Sequence, residues 1–386
     1  MIRCLHLADL HLGWSLQDPD FPSDKSRVRR EERDSVLKTA VDFAVDPGNS
    51  IDIVIIAGDL FETHTPDPAL AEHVLSQLRR AENAGILVVT VPGNHDEITY
   101  HDSVYRQYGD SRRWPGILVR NPMPEPVYKG EIKGVSVCIY SLAYTGGLTK
   151  VSRLTSFPRE ERPGLHIGVF HGSLDWDMVG DRSLPLDSQR LAAAGYDYVA
   201  LGHIHKHREV RAGKGVMVYP GVIESKGFSD LGTGYMTIVR FSPRGASQGS
   251  AGFDVKLEPR NIPVRKHVVV DMDISTKESQ EEIVSECKGR AEPDSMVKLV
   301  LRGVPSFGVN PESLKAQLQD SFFWVEIEDE SSFVESSDIQ EFAKEQTIRG
   351  HFVRRLLKRL ENAPSQREKE VLELALRKGL AAFDGR

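Results

Sequence analysis

The sequence predicts an α/β fold in which helices flank a mixed β-sheet or a two-sheet sandwich. In the first half of the chain, near-continuous runs of apolar, mostly β-branched residues alternate with segments of helical periodicity. The later predicted strands follow one another without helices between them, which favours a mixed sheet or a sandwich over a purely doubly wound sheet. Polar residues follow the strand ends, and ligands bind at this edge of α/β sheets.

The first 240 residues contain most of the predicted strands and helices. Short apolar runs predict strands at residues 2–8, 51–57, 86–91, 135–142, 166–170, 196–201, 216–219 and 235–241. Apolar residues at helical spacing predict helices at residues 24–46, 67–84 and 186–194. Gly85 suits the position after the second helix. We expect a long surface loop at 145–164 and a turn at Pro220-Gly221 between the last two strands.

A smaller unit follows this region. Residues 242–252, which are rich in glycine and serine, predict a connector, and 259–266 predict a linker. A β-α-β-α-β block is then expected, with a strand at 267–273, a helix at 277–290, a strand at 296–302, a helix at 311–320 and a strand at 322–328. The block is short and has no cluster of ligand-type side chains, so we interpret it as a small α+β capping domain.

The C-terminal region predicts two amphipathic helices after an acidic, serine-rich hinge at 326–338. Apolar residues recur at helical spacing over 338–361 and 366–383, with basic residues among them in the first helix. The helices could pack on their own core or bind a partner. The expected domains are a large catalytic domain at 1–258, the capping domain at 259–332 and a helical segment at 333–386.

Composition limits the classes of function. The 386-residue chain has a formal net charge of −7, so a nucleic-acid partner would require a local basic patch or bound metal. Three widely spaced cysteines, Cys4, Cys138 and Cys287, indicate reduced buried thiols and a cytoplasmic protein rather than a disulfide framework. A strand is predicted from residue 2 onward and no apolar run reaches about 18 residues, so we expect neither a leader nor a membrane span.

Eight polar residues lie at or just beyond the C-terminal ends of predicted strands: Asp9, His11, Asp59, Asn94, His95, His171, His203 and His205. Oxygen and imidazole ligands without thiolates suit divalent Mn, Fe or Zn. Eight groups are too many for one ion, and a carboxylate such as Asp59 can bridge two. Two ions about 3.5–4 Å apart activate water and stabilise both the attacking and the leaving oxygen in a displacement at phosphorus. His95 could instead donate a proton to the leaving group.

Five sequence blocks carry a family resemblance: Asp9-Leu10-His11, Gly58-Asp59, Gly93-Asn94-His95-Asp96, His171 and Gly202-His203-Ile204-His205. In this order they resemble the calcineurin-like metallophosphoesterase superfamily, over roughly residues 1–240. The resemblance implies two divalent metal ions, with Mn²⁺ as the expected ion. It also implies a ligand division, in which Asp59 bridges the ions and the others divide into Asp9, His11 and His205 on one side and Asn94, His171 and His203 on the other.

Within that superfamily, residues 8–13 and 58–61 resemble the SbcD/Mre-type DNA repair nucleases, with the YhaO-like branch as a further candidate. The resemblance implies a DNA exonuclease that forms a homodimer, and it leaves open an additional endonuclease activity. It further implies that the C-terminal helices bind an SbcC/Rad-type coiled-coil ATPase. Glu62 stands where many members have a histidine tied to exonuclease action, which leaves the mode of cleavage open.

Two other functions fit the same residues. The metals could act on a small phosphodiester or phosphomonoester, in which case the capping domain would roof a narrow pocket. The chain could also be an architectural component with a vestigial nuclease, although the complete set of ligands argues against this. The arginines between residues 27 and 33 fit a phosphate-contacting patch or an ion-paired solvated helix face equally well.

Overall fold

The computed structural model describes residues 1–16, 21–111, 113–146, 156–175, 182–244, 252–334 and 336–383. The chain forms two compact units, 1–264 and 265–386. The predicted division at residues 258 and 332 stays a prediction. Parts of the predicted loop 145–164 and of the predicted connector 242–252 lie outside the described residues.

Unit 1 is built on two six-stranded sheets. Its strands are β1 Ile2–Leu7, β2 Ile53–Ala57, β3 Leu87–Val91, β4 Ile117–Leu118, β5 Glu125–Ile132, β6 Val135–Ser141, β7 Leu165–His171, β8 Ser173–Leu174, β9 Pro185–Leu186, β10 Tyr198–Gly202, β11 Arg208–Ala212, β12 Gly215–Tyr219, β13 Tyr235–Pro243 and β14 Phe253–Asn261. The sheet orders are β14-β13-β1-β2-β3-β4 and β11-β12-β10-β7-β6-β5, and β8 pairs with β9. Each sheet combines parallel and antiparallel pairs, because β1 to β4 are parallel in the first and β6, β7, β10 and β12 in the second, whereas β13, β14, β5 and β11 pair antiparallel. This confirms the predicted mixed-sheet α/β fold.

Helices cover the outer faces of the sandwich. They are α1 Ser23–Asp34, α2 Val36–Val45, α3 Pro68–Asn83, α4 Val104–Asp110 and α5 Ser188–Ala194. The main core joins the two sheets and packs under α2 and α3, and it includes the fully buried Ile55 and Val169. Phe170, the next residue of β7, lies in a second core with Leu191 of α5. The side chains of successive β7 residues thus point to opposite faces of the sheet, as expected for a strand that is buried on both sides.

The strands that the sequence analysis missed are β4, β5, β11 and β14, together with the short pair β8 and β9. The first four are the edge strands of the two large sheets. An edge strand has one neighbour and is partly open to solvent, so it needs no continuous apolar run. β14 also extends to Asn261, so the linker predicted from residue 259 begins inside a strand.

Two further expectations were wrong. The predicted turn at Pro220-Gly221 does not join two neighbouring strands, because β12 and β13 belong to different sheets and residues 220–234 cross between them. The helix predicted at 24–46 is interrupted at Ser35. The Ser35 hydroxyl donates a hydrogen bond to the Glu32 carbonyl at 2.7 Å, a local bond of the kind that competes with helical pairing.

Unit 2 contains the predicted β-α-β-α-β block. A parallel sheet of β15 His267–Asp273, β16 Met296–Arg302 and β17 Trp324–Asp329 is accompanied by α6 Gln280–Arg290 and α7 Pro311–Leu318. The terminal helices are α8 Ser336–Lys344, α9 Ile348–Glu361 and α10 Gln366–Phe383. The helix predicted at 338–361 is therefore two helices, and the Thr347 side chain caps the second.

The terminal helices share a small apolar core of their own, which includes Val353 and Leu376. Ile348 and Val371 nevertheless stay 81% and 60% exposed. All three cysteines are buried free thiols, as predicted. Within the described ranges, no helix has the length and apolarity that a membrane crossing requires.

Candidate metal centre

The side chains predicted as ligands come from the ends of five strands. Asp9 and His11 follow β1, Asp59 follows β2, and Asn94 follows β3 in the first sheet. His171 is the last residue of β7, and His203 and His205 follow β10, in the second sheet. Strands β1, β2 and β3 are parallel to one another in the first sheet, and β7 and β10 are parallel in the second. Contacts between residues at their carboxyl ends bring both sets of ends to one edge of the sandwich.

One group of side chains converges where the loop after β1 meets the loop after β10. Nε2 of His11 lies 3.1 Å from Nε2 of His205 and 3.8 Å from Oδ2 of Asp59. One ligand atom each of Asp9, His11 and His205 lies within 4.8 Å of the others. Three donor atoms of the right chemistry therefore surround a volume of the size that one cation would occupy.

A second group converges beside the first. Oδ1 of Asn94 lies 2.9 Å from Nε2 of His171 and 2.9 Å from Nδ1 of His203. Oδ2 of Asp59 lies 3.4 Å from Nε2 of His171. The same Asp59 oxygen thus faces a histidine of each group.

His95 occupies the open side of the site. Its ring is 4.7 Å from the His11 ring, and 37% of its side chain is exposed, against 0% for His11. Its backbone N–H donates to Oδ1 of Asp59 at 2.9 Å. A ring nitrogen of His95 also lies within 4.8 Å of ligand atoms of His11 and Asp59. In this position His95 can act either as a metal ligand or as a proton donor to an incoming group.

Several of these residues have a left-handed backbone. Among the described residues, eight non-glycine residues have positive φ, and four of them are Asp9 at 54°, His11 at 48°, Asp59 at 50° and His203 at 102°. Such a conformation costs on the order of 1–3 kcal/mol and persists only where the surroundings enforce it. The amide of Asp9 donates to the Gly58 carbonyl at 3.0 Å, and that of His11 donates to the Asp59 carbonyl at 3.0 Å. These bonds hold the two loops in register.

The glycines of the motifs allow close packing around the ligands. A Cβ added to Gly93 would lie 2.1 Å from Oδ1 of Asp59, and one added to Gly202 would lie 1.8 Å from the Ala57 carbonyl oxygen. A Cβ on Gly58 would lie 2.0 Å from Nδ1 of His171. Each motif glycine therefore stands where any other residue would displace a proposed ligand or the strand that carries it.

The electrostatics of the site fit a cationic occupant. Burial raises the pKa of Asp9 to about 6, whereas His171 and His11 hold the pKa of Asp59 well below its usual range against the opposing effect of burial. Burial likewise opposes a rise in the pKa of His171, but Asp59 and Asp9 raise it to about 9. In the described chain, the ion pairs of Asp9 and Asp59 are with histidines alone. Two buried carboxylates without lysine or arginine partners suit divalent metal.

The structure adds three carboxylates that the sequence analysis did not assign to the site. Buried Asp96 accepts hydrogen bonds from Gly93 N at 2.7 Å, Phe61 N at 3.0 Å and the Tyr105 hydroxyl at 2.7 Å, and so joins the loops after β2 and β3. Burial raises the pKa of Asp96 to about 6. Glu62 contacts His11 at 2.8 Å and His95 at 3.7 Å, and Asp230 contacts His205 at 3.1 Å.

The positions of these carboxylates explain why they were missed. Asp96 lies within the block Gly93-Asn94-His95-Asp96, in which only Asn94 and His95 were assigned to the site. Asp230 lies in the irregular segment 220–234, which has no periodic signal.

Comparison with known proteins agrees with this geometry. A family model described as calcineurin-like phosphoesterase matches residues 2–207. The chain is 28% identical over 236 residues to the uncharacterized metallophosphoesterase YhaO of Bacillus subtilis, and the match covers 59% of this chain and 54% of YhaO. It is 25% identical over 334 residues to the DNA double-strand break repair protein Mre11 of Methanopyrus kandleri, with coverage of 81% and 67%. It is 24% identical over 273 residues to the SbcD component of the nuclease SbcCD of Bacillus subtilis, with coverage of 60% and 64%. The chain thus spans about half to two thirds of the length of these relatives.

Proposed function

The chain belongs to the calcineurin-like phosphoesterase family of metal-dependent hydrolases of phosphoester bonds, and on this basis we propose that it is a two-metal DNA nuclease. The observation that carries the proposal is the convergence of two groups of nitrogen and oxygen donors on the single carboxylate Asp59. The relatives named as a DNA double-strand break repair protein and as part of a nuclease support DNA as the substrate.

The ligand roles follow the two groups. Asp9, His11 and His205 would hold one cation, and Asn94, His171 and His203 the other, with Asp59 shared. When bound, the two cations polarise the phosphate and activate water at neutral pH. The donors, oxygen and imidazole nitrogen without thiolate, suit divalent Mn, Fe or Zn, and we propose Mn²⁺ among these because the family resemblance implies it.

His95 has a separate role in this proposal. It is the most accessible imidazole beside Asp59, and its backbone bond to that carboxylate fixes its position. A proton or hydrogen bond from its ring to the leaving oxygen would offset the negative charge that develops when the ester bond breaks. His95 is therefore the proposed catalytic residue, and it acts on the substrate directly.

Assembly is the second part of the proposal. We propose that the protein is a cytoplasmic homodimer and that α8–α10 bind a coiled-coil ATPase of the SbcC/Rad type. The exposed apolar side chains Ile348 and Val371 on α9 and α10 support a partner at these helices.

Co-expression with such an ATPase should give a complex that co-purifies, and Ile348→Glu and Val371→Glu should weaken it. Light scattering of the free protein should give the mass of a dimer. A monomeric mass would contradict the proposed homodimer, and the absence of a complex would contradict the proposed binding of the ATPase.

The direct test of activity is cleavage of end-labelled and circular DNA with Mn²⁺. His95→Ala and Asp59→Ala should each abolish most cleavage, whereas His101→Ala should not, because the His101 side chain is 95% exposed and lies outside the ligand groups. A manganese-loaded protein that is inert on linear, circular and single-stranded DNA would refute the nuclease assignment. Hydrolysis of a chromogenic phosphodiester that excess DNA does not inhibit would indicate a small substrate instead.

A further inference from the structure

His11 and His205, the two histidines of the first group, each have a carboxylate on the outer side of the ring. Nδ1 of His11 lies 2.8 Å from Oε2 of Glu62, and Nδ1 of His205 lies 3.1 Å from Oδ1 of Asp230. In both rings it is Nε2 that points into the site, where the two Nε2 atoms are 3.1 Å apart. Each imidazole therefore lies between the metal centre and a carboxylate.

The second group also contains two histidines. Nδ1 of His171 lies 2.9 Å from the neutral carbonyl oxygen of Ala57, while its Nε2 faces Asn94. His203 turns its Nδ1, rather than its Nε2, toward the same Asn94 oxygen. The donors of this group thus include a neutral amide, and the nearest outer partner of His171 Nδ1 is the Ala57 carbonyl, with Oδ1 of Asp9 farther away at 4.0 Å.

Lys226 connects the two outer carboxylates. Its Nζ lies 2.7 Å from Oε2 of Glu62, and its backbone N–H donates to Oδ2 of Asp230 at 3.1 Å. Lys226 lies in the segment 220–234, which crosses from β12 to β13. One residue of this segment therefore positions both carboxylates against the histidines.

We propose that Glu62 and Asp230 are positioning residues that strengthen the cation position of Asp9, His11 and His205. The proposal rests on the two-metal function proposed above. A carboxylate that accepts the Nδ1 proton fixes the tautomer, so that Nε2 presents its lone pair, and it increases the basicity of the ring. An anionic acceptor does this more strongly than a carbonyl.

The site-specific consequence concerns metal affinity. Loss of an outer partner of a metal-bound histidine typically weakens binding about 10- to 100-fold. Glu62→Gln and Asp230→Asn keep the size and hydrogen-bonding capacity of the side chain but remove its charge. Each should weaken one of the two cation positions and leave the other unchanged. Lys226→Met should have a smaller effect, because it removes the ammonium contact with Glu62 but keeps the backbone bond to Asp230.

The test is titration of the metal-free full-length protein with Mn²⁺ by isothermal calorimetry, with electron paramagnetic resonance to count free and bound ion. The wild type should bind two ions. Glu62→Gln and Asp230→Asn should each raise the dissociation constant of the same one of these sites about 10- to 100-fold, with the other site unchanged. Glu62→Asp should restore part of the affinity that the glutamine variant loses.

Asp197→Asn is the matched control. Asp197 is a buried carboxylate of the same unit that accepts from the backbone of His166 and pairs with Lys214, away from the ligand groups. Asp197→Asn should leave the affinity of both manganese sites unchanged, even if it lowers the thermal stability of the metal-free protein. Thermal denaturation in chelator provides the stability of every variant, so that a general loss of structure is separated from a loss at one site.

Two outcomes would overturn the inference. One is wild-type affinity at both sites in Glu62→Gln and Asp230→Asn, and the other is an equal loss at both sites. Because binding is measured without DNA, a protein with two manganese sites, of which the variants weaken only one, but with no DNA cleavage would refute the nuclease proposal and not this one. A protein that binds no manganese would refute both.

Discussion

The carboxylate of Asp9 accepts the backbone N–H of His203 at 2.9 and 3.0 Å, although 194 residues separate the two along the chain. The bond joins the end of β1 in one sheet to the end of β10 in the other. The ligand groups are therefore held together by the protein itself as well as by any cation. Metal binding should add to the stability of a fold that is already assembled.

The first prediction concerns metal removal. Mn²⁺ at about 100 times its dissociation constant should stabilise the native protein by about 2.7 kcal/mol, because an ion that binds only the native state shifts the unfolding equilibrium. Differential scanning calorimetry in Mn²⁺ and in chelator measures this difference. Asp59→Asn should lose most of the gain, since Asp59 faces both groups. Cooperative unfolding should persist in chelator, and its loss at 25 °C would show that the metal is needed for folding.

The second prediction concerns Gly93. Gly93→Ala places a methyl group 2.1 Å from Oδ1 and 2.4 Å from the backbone nitrogen of Asp59. We expect a loss of about 1–3 kcal/mol in the free energy of unfolding from overpacking, together with loss of the stabilisation by manganese. Urea denaturation with and without Mn²⁺ measures both.

Gly289→Ala is the control for this substitution, because a Cβ there meets no atom within 4 Å in helix α6. It should leave the manganese effect intact and raise helix stability by up to about 1 kcal/mol. Equal behaviour of the two alanine variants toward Mn²⁺ would refute the role assigned to Gly93.

The third prediction concerns the bond between Tyr105 and Asp96, which are both fully buried. Tyr105→Phe removes the hydroxyl that donates to Asp96, so the carboxylate keeps its two backbone donors but loses the third. We expect destabilisation of about 1–3 kcal/mol, measured by urea denaturation. Tyr108→Phe on the same helix should cost much less, because the Tyr108 hydroxyl contacts Glu72 at 3.2 Å on the exposed surface. Equal effects would mean that Asp96 does not depend on Tyr105.

The fourth prediction concerns pH. Burial lowers the pKa of His6 to about 3, and its Nδ1 lies 2.7 Å from the Tyr198 hydroxyl. In the unfolded chain the histidine has a pKa of about 6.5, so below that pH the unfolded state binds a proton that the native state excludes. The stability that neutral His6 allows is therefore complete above about pH 6.5 and falls as the pH decreases toward 3.

Between pH 7 and pH 5 this effect should lower the free energy of unfolding by about 2 kcal/mol. His6→Asn keeps a polar group near Tyr198 but cannot titrate. The difference between the two proteins across this pH range, from chemical denaturation in chelator, isolates the contribution of His6. Parallel pH profiles for the two proteins would contradict the assignment.

The predictability of each part of the fold depends on how fully that part is buried. Strands β2 and β3 lie inside a sheet that is covered on both faces, so their sequences are near-continuous apolar runs. The edge strands β11 and β14 carry charged residues and were missed. The residues of a strand also do not specify which strand it pairs with, and for this reason β12 and β13 were wrongly expected to be neighbours.

The same distinction applies to the site. Asp9, Asp59 and His203 directly follow buried strands, and the spacing of the blocks made them visible in the sequence. Asp230 owes its position to a long crossing segment, and its contact with His205 depends on how two distant loops meet. Glu62 was noticed as a departure from a family pattern, but its contact with His11 required coordinates.

The left-handed backbone at Asp9, His11, Asp59 and His203 has a consequence for engineering. Glycine would adopt these angles without strain, so a redesign guided by thermostability alone would favour glycine at each position. Every such change would delete a donor atom. Stabilising substitutions for this protein should therefore be sought in unit 2 and on the outer helices, and the strand-end loops should be left as they are.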